Sequence, residues 1–200
     1  MKVKVLLWLA AAAATVGVAA PAACQECRAS LQSHPPAWSA LQTKKQPDTA
    51  QMKLFIEVGC RDCDPMIVVE VFAGAASARF RSMPLGRKTG TDFAEAVISD
   101  EQERSDFLDG TLADEQLSSP GCVMDGRIDG VSQIGAMGMI VANLRAECDH
   151  APEKLQAVFF SGYDGLCLYR VRVMWPVWAG LSVSAQDQVL AVLDQIRFGP

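Results

Sequence analysis

The sequence predicts an α+β domain, an antiparallel β-sheet with helices packed on its faces. Three observations predict it. Two β-rich runs, MKLFIEVG (52–59) and MIVVEVFAG (66–74), flank a compact Gly/Cys/Asp/Pro segment. A second pair, LQAVFFSG (155–162) and LCLYRVRVMW (166–175), flanks a Tyr-Asp-Gly turn. The chain then closes on SAQDQVLAVLDQIRFG (184–199), which has apolar residues at helical spacing. Period-two runs with turn residues between them read as hairpins, and a capped stripe of period 3.6 reads as a helix.

Residues 1–23 read as a signal peptide. Met1-Lys2-Val3-Lys4 supplies the positive start, Val5 to about Ala20 the apolar centre, and Pro21-Ala22-Ala23 an A-x-A-like exit. The apolar run is short for a spanning helix, which needs roughly 20 residues. Cleavage is expected after Ala22 or Ala23. Loss of Lys2 and Lys4 with the leader then moves the formal net charge from −5 to −7. Such an acidic domain, with no basic cluster, does not suit nucleic acid or anionic lipid.

Residues 24–50 form a polar lead-in, because Pro35, Pro36 and Pro47 interrupt any long regular element. One short helical turn is expected there, with Trp38 against the core. Residues 51–200 then make a single α+β domain. In its first hairpin Leu54, Ile56 and Val58 share a face, and Glu57 and Glu70 face each other across the strands. Asp92 with Glu95 predicts a helix start, Ser99 with Gln102 a second one, and Gly110 a stop.

The stretch from 111 to 150 is glycine-rich, and GVSQIGAMGMIVANL (130–144) reads as one buried strand. In the later hairpin Cys167, Tyr169, Val171, Val173 and Trp175 fall on one face, and Arg170 and Arg172 on the other. These arginines are expected to pair with the hairpin glutamates. The closing helix takes Ser184 as its cap, Val189, Val192, Leu193 and Ile196 as its stripe, and Gly199 as its end.

The strand LYRVRV followed by a capped helix ending in LDQIRF resembles the close of PsbP-like domains. The likeness follows element order from 50 to 198 and sequence only from 155 to 198. It implies an α/β/α sandwich and a non-catalytic accessory or assembly role. It carries over no functional residue, and the paired cysteines depart from the family's pattern.

Seven cysteines accompany the leader: Cys24, Cys27, Cys60, Cys63, Cys122, Cys148 and Cys167. In an exported chain the default is disulfides, and an odd number leaves one sulfur over. Cys24 stands where a lipidated first residue would stand, which makes it the candidate lipid anchor. Cys60, Cys63, Cys122, Cys148 and Cys167 are assigned structural roles. Two C-x-x-C pairs, Cys24/Cys27 and Cys60/Cys63, are the candidates for redox chemistry or for a four-thiolate zinc site.

The other residues capable of chemistry do not form a recognisable motif in the sequence. Cys148 and His150 stand too close in sequence for their side chains to converge. Asp125 and Asp129 lack the alternation of a calcium loop and read as turn aspartates. GVSQIG has the wrong spacing for a nucleophile elbow. The expectation is therefore an exported, disulfide-stabilised binding or accessory domain of the cell envelope, without a cofactor, acting on a protein or envelope component. A thiol-disulfide or metal-handling role for the C-x-x-C pairs is the alternative.

Overall fold

A computed structural model describes residues 26–41, 52–60, 62–118, 121–148, 155–176 and 180–199. The first hairpin forms where the alternation predicted it, as β3 (Lys53–Cys60) and β4 (Ile67–Ala75). Its register sets Val58 opposite Val69 and Glu57 opposite Glu70. The later hairpin is β7 (Leu155–Tyr163) and β8 (Cys167–Pro176). β8 also pairs with β4, so the two hairpins join side by side.

The glycine-rich stretch is a third hairpin, not the single strand expected. β5 (Cys122–Ile134) and β6 (Met137–Cys148) pair along their whole length around a two-residue turn. Gly135 supplies the turn with φ +58°, the positive dihedral that a II′ turn wants at its first central position. The apolar run reads as continuous because several glycines interrupt it alike, and one of them is the turn itself.

The lead-in is not a separate segment. Arg28–Leu31 forms β1, which pairs with a terminal strand β9 (Ile196–Gly199), and Trp38–Ala40 forms β2, which pairs with β3. The domain therefore begins well before residue 51, and only Trp38 packs as expected, at 1% exposure. The result is a seven-stranded antiparallel sheet, ordered β2-β3-β4-β8-β7-β6-β5, beside a two-stranded sheet of β1 and β9. The α+β class with an antiparallel sheet is confirmed.

Helices cover both faces of the large sheet. On one face lie α4 (Val183–Leu193) and the β1–β9 pair. Ser182, not Ser184, caps α4 by accepting from the Ala185 N–H. Val189, Val192 and Leu193 reach the core, but the helix stops at Leu193 and Ile196 is buried from β9. Gly199 thus lies in a strand, where the edge pairing with β1 overrides the helical period. On the other face α1 (Ala78–Ser82), α2 (Gly90–Ser99) and α3 (Glu101–Ser118) follow in order, with α2 packed on β6 and α3 on β5.

Asp100 divides α2 from α3. Its Oδ1 accepts from the N–H groups of Gln102 (2.9 Å) and Glu103 (3.0 Å), capping α3 where Ser99 was expected to. Gly110 does not stop α3, which runs through it to Ser118 at the cost of about 1 kcal/mol that glycine imposes inside a helix. At Gly138 of β6, a Cβ would lie 2.6 Å from the Thr91 Cα, so only glycine lets the start of α2 rest on that strand.

Three disulfides join six of the seven cysteines: Cys27–Cys167, Cys60–Cys63 and Cys122–Cys148. Cys24 lies outside the described residues. The bridges differ in what they close. Cys27–Cys167 spans 140 residues and ties β1 to the central strand β8, worth about 5 kcal/mol in the chain-entropy model. Cys60–Cys63 spans three residues, where the same model gives about 2 kcal/mol. Cys122 and Cys148 are register partners at the open end of the β5–β6 hairpin.

Candidate functional site

Alternation along β4 and β8 builds two unlike faces on one sheet. Val69, Val71, Tyr169, Val171 and Val173 point to the α4 side and are almost fully buried. Glu70, Arg170 and Arg172 point to the α3 side. There the Arg172 Nε–H donates to Glu70 Oε2 at 2.6 Å, and its Nη1 donates to Glu115 Oε2 of α3 at 2.6 Å. Arg170 reaches Glu115 at 3.5 Å and Asp114 at 3.4 Å. The expected pairing of these arginines with the hairpin glutamates holds for Arg172 and Glu70.

The side chains of Glu70, Glu115 and Arg172 are 8%, 10% and 12% exposed, so this is a buried lattice. Burial pushes the Glu70 carboxyl above the usual carboxylate range, more than the Arg172 guanidinium beside it draws it down. Glu70 and Glu115 together hold the Arg172 guanidinium firmly charged against its burial. Glu57 Oε2 and Arg170 Nε are buried without a hydrogen-bond partner among the described residues. The lattice uses its charges to fasten α3 to the sheet.

At the β3–β4 turn, Cys60 is fully buried and Cys63 half-buried. Gln188 of α4 places its Oε1 at 3.7 Å from Cys60 Sγ and 3.4 Å from Cys63 Sγ. The same oxygen accepts from the Trp38 indole N–H at 3.3 Å. Sequence reasoning found the cysteines but not Gln188, which looks like an ordinary polar position of an amphipathic helix.

A cleft of about 280 Å³ opens between the start of α2, the β5–β6 turn and β9, lined by Thr89, Met137, Tyr163, Arg197 and Phe198 among others. The polar groups around it are engaged. The Tyr163 O–H donates to the Gly165 carbonyl at 2.7 Å, and Arg197 Nη1 donates to the carbonyls of Asp194 and Ile196. Asp164 accepts from the N–H groups of Leu166 and Cys167 and from the Tyr169 O–H at 2.8 Å. These contacts hold the β7–β8 turn, so the cleft offers shape, apolar contact and a guanidinium at its rim. Thr89 and Arg197 lie far apart in sequence, and nothing in either neighbourhood announces a shared cleft.

The remaining sequence candidates separate. Cys27 is bonded to Cys167, so the Cys24/Cys27 pair does not form, and the four-thiolate zinc arrangement loses a sulfur it needs. Cys148 is bonded to Cys122, which ends its pairing with His150, a residue outside the described ones. Asp125 and Asp129 lie within β5, not in a turn, and Asp129 accepts from Arg127 and Asn143. Among the described residues, no helix is long and apolar enough to cross a membrane.

No protein-family model matches the chain, and no curated protein is similar to it in sequence. Among solved structures, LpqN, involved in cell envelope biogenesis of Mycobacterium tuberculosis, is similar with a TM-score of 0.47 at 10% identity. That match covers 88% of this chain and 86% of the other. A protein of Bacteroides thetaiotaomicron matches with a TM-score of 0.42 at 8% identity, over 84% of this chain and 44% of that one.

Proposed function

We propose that this chain is an exported accessory domain of the cell envelope that works by binding a protein or envelope component. The observation that carries the reading is the set of three disulfides behind a leader-like amino terminus. Bridges of this number form and persist where thiols are not kept reduced. The longest ties the segment just after the expected cleavage point to the central strand, so the staple is complete only once the mature chain is oxidised. The resemblance of the closing strand and helix to PsbP-like domains implies an accessory role, and we take the cleft around Tyr163 and Arg197 as the surface offered to the partner.

Intact mass of the protein isolated from its own cells tests the reading. The expected mass begins at residue 23 or 24 and lacks two hydrogens for each of three bridges. An acyl chain on Cys24 would add its own increment and make the anchor direct. A mass that retains Met1, with every thiol titratable, overturns export and stapling together. Binding is tested by capture from the native envelope, with Arg197→Glu expected to weaken recovery of the partner severalfold. Repeated capture of nothing overturns that half.

A further inference from the structure

We propose that Cys60–Cys63 is an exchangeable disulfide that accepts two electrons from thiols, with Gln188 setting its poise, while the other two bridges remain closed. The first argument is what the bridge holds. It joins residues three apart, at the end of a strand already paired on both sides, Cys60 with Ile67 of β4 and with Trp38 of β2. Opening it frees no distant segment, whereas opening Cys27–Cys167 releases a span of 140 residues. A bridge that stabilises the fold strongly is stabilised by the fold in return, and resists reduction to the same degree.

The second argument is Gln188. Its Oε1 is fixed by the Trp38 N–H and faces both sulfurs at 3.4 and 3.7 Å. A disulfide has no hydrogen to give, so the oxygen meets only sulfur lone pairs. After reduction each sulfur carries an S–H, and both have an acceptor within reach. The carbonyl oxygen therefore favours the dithiol over the disulfide, which raises the pair's tendency to take electrons.

The chemistry follows from exposure. Cys60 is fully buried and Cys63 half-buried, so an incoming thiolate attacks Cys63 Sγ. The Cys60–Cys63 bond breaks, and its electron pair leaves on Cys60 Sγ, which takes a proton. A second thiolate attacks the incoming sulfur of the mixed disulfide and releases Cys63 as thiolate, which is then protonated. The balance is one protein disulfide and two thiols giving one protein dithiol and the thiols' own disulfide.

Equilibration of the purified, full mature protein in glutathione redox buffers, then acid quench, alkylation and peptide mass, tests this. Cys60 and Cys63 are expected to be alkylated first, with the other four bridged cysteines still oxidised. Exposure alone predicts the opposite order, because both Cys122 and Cys148 are half-buried. Opening of Cys122–Cys148 at the same buffer ratio or earlier, or of all three bridges together, overturns the proposal.

Gln188→Leu removes the acceptor and should lower the dithiol-to-disulfide equilibrium roughly tenfold, the worth of about one hydrogen bond, since the Trp38 N–H already takes one lone pair of the oxygen. Gln188→Glu keeps an acceptor of equal size with more charge and should move it the other way. A purely structural glutamine would move both variants together, and that result sinks its role as the poising group. Circular dichroism shows whether each variant is folded, and the wild-type titration decides the order of opening without them. The titration does not depend on where the chain resides, so its failure leaves the export reading standing.

Discussion

The two faces of the central sheet solve the same burial problem in opposite ways. On β8, Cys167, Tyr169, Val171, Val173 and Trp175 enter an apolar layer under α4, while Arg170 and Arg172, interleaved with them, enter a charged layer under α3. The first layer is held by area removed from water, which tolerates modest changes of shape. The second is held by charges whose loss of hydration must be returned by their partners, and it fails when one partner is removed. α4 meets the sheet with an apolar stripe. α3 is largely polar and makes its contact through Phe107, Leu108, Leu112 and Glu115.

Breaking one charge should therefore cost most. Arg172→Met leaves Glu70 buried without its cation and Glu115 with Arg170 alone, at 3.5 Å, and a loss of about 3–5 kcal/mol in urea unfolding is expected. Adding Glu70→Gln to that variant, while Glu115 keeps Arg170, should recover much of the loss. If the double variant is as unstable as the single one, the stranded Glu70 carboxylate is not what fails.

On the apolar side, Cys27→Ser with Cys167→Ser removes the longest staple and should cost about 2–5 kcal/mol by the same measurement. A negligible change would mean that the reduced chain holds β1 against the sheet unaided.

The Tyr169 hydroxyl sharpens the comparison, because it is a polar group placed inside the apolar layer. Burial and the neighbouring Asp164 carboxylate push its pKa well above the usual tyrosine range. The folded state thus favours the protonated phenol. The stability this gives is whole below the ordinary tyrosine pKa and is lost as pH climbs from there toward the raised folded value. Alkaline unfolding curves should show that decline, and Tyr169→Phe should flatten it.

The smallest effect is expected from Ile67→Val, a fully buried methylene on β4. It should cost about 0.5–1.5 kcal/mol in thermal unfolding and leave the bridges intact.

Much of this architecture was legible in the residues. The β3–β4 and β7–β8 hairpins, the alternation of β8 and the buried Trp38 follow from local periodicity, because a pleated strand must send neighbours to opposite faces. The Glu57–Glu70 register followed from the hairpin itself. The third hairpin is hidden in the sequence because Gly135 is one of several glycines, and only the pairing of Ile134 with Met137 marks it as the turn. The candidate site was half legible. Cys60 and Cys63 stand out in the sequence, whereas Gln188 lies 125 residues beyond Cys63 and meets it only because α4 crosses the sheet.

The sequence by itself determined the class of the domain, the strands of two hairpins, the face that each β8 residue takes, and the supply of sulfur. Periodicity and composition are local properties, and they act before the chain has closed. The tertiary structure decided which sulfurs meet, where the domain begins, that Ile196–Gly199 is a strand, and which carboxylates hold Arg170 and Arg172. Those outcomes depend on segments distant along the chain arriving at one place, and no local pattern encodes that arrival.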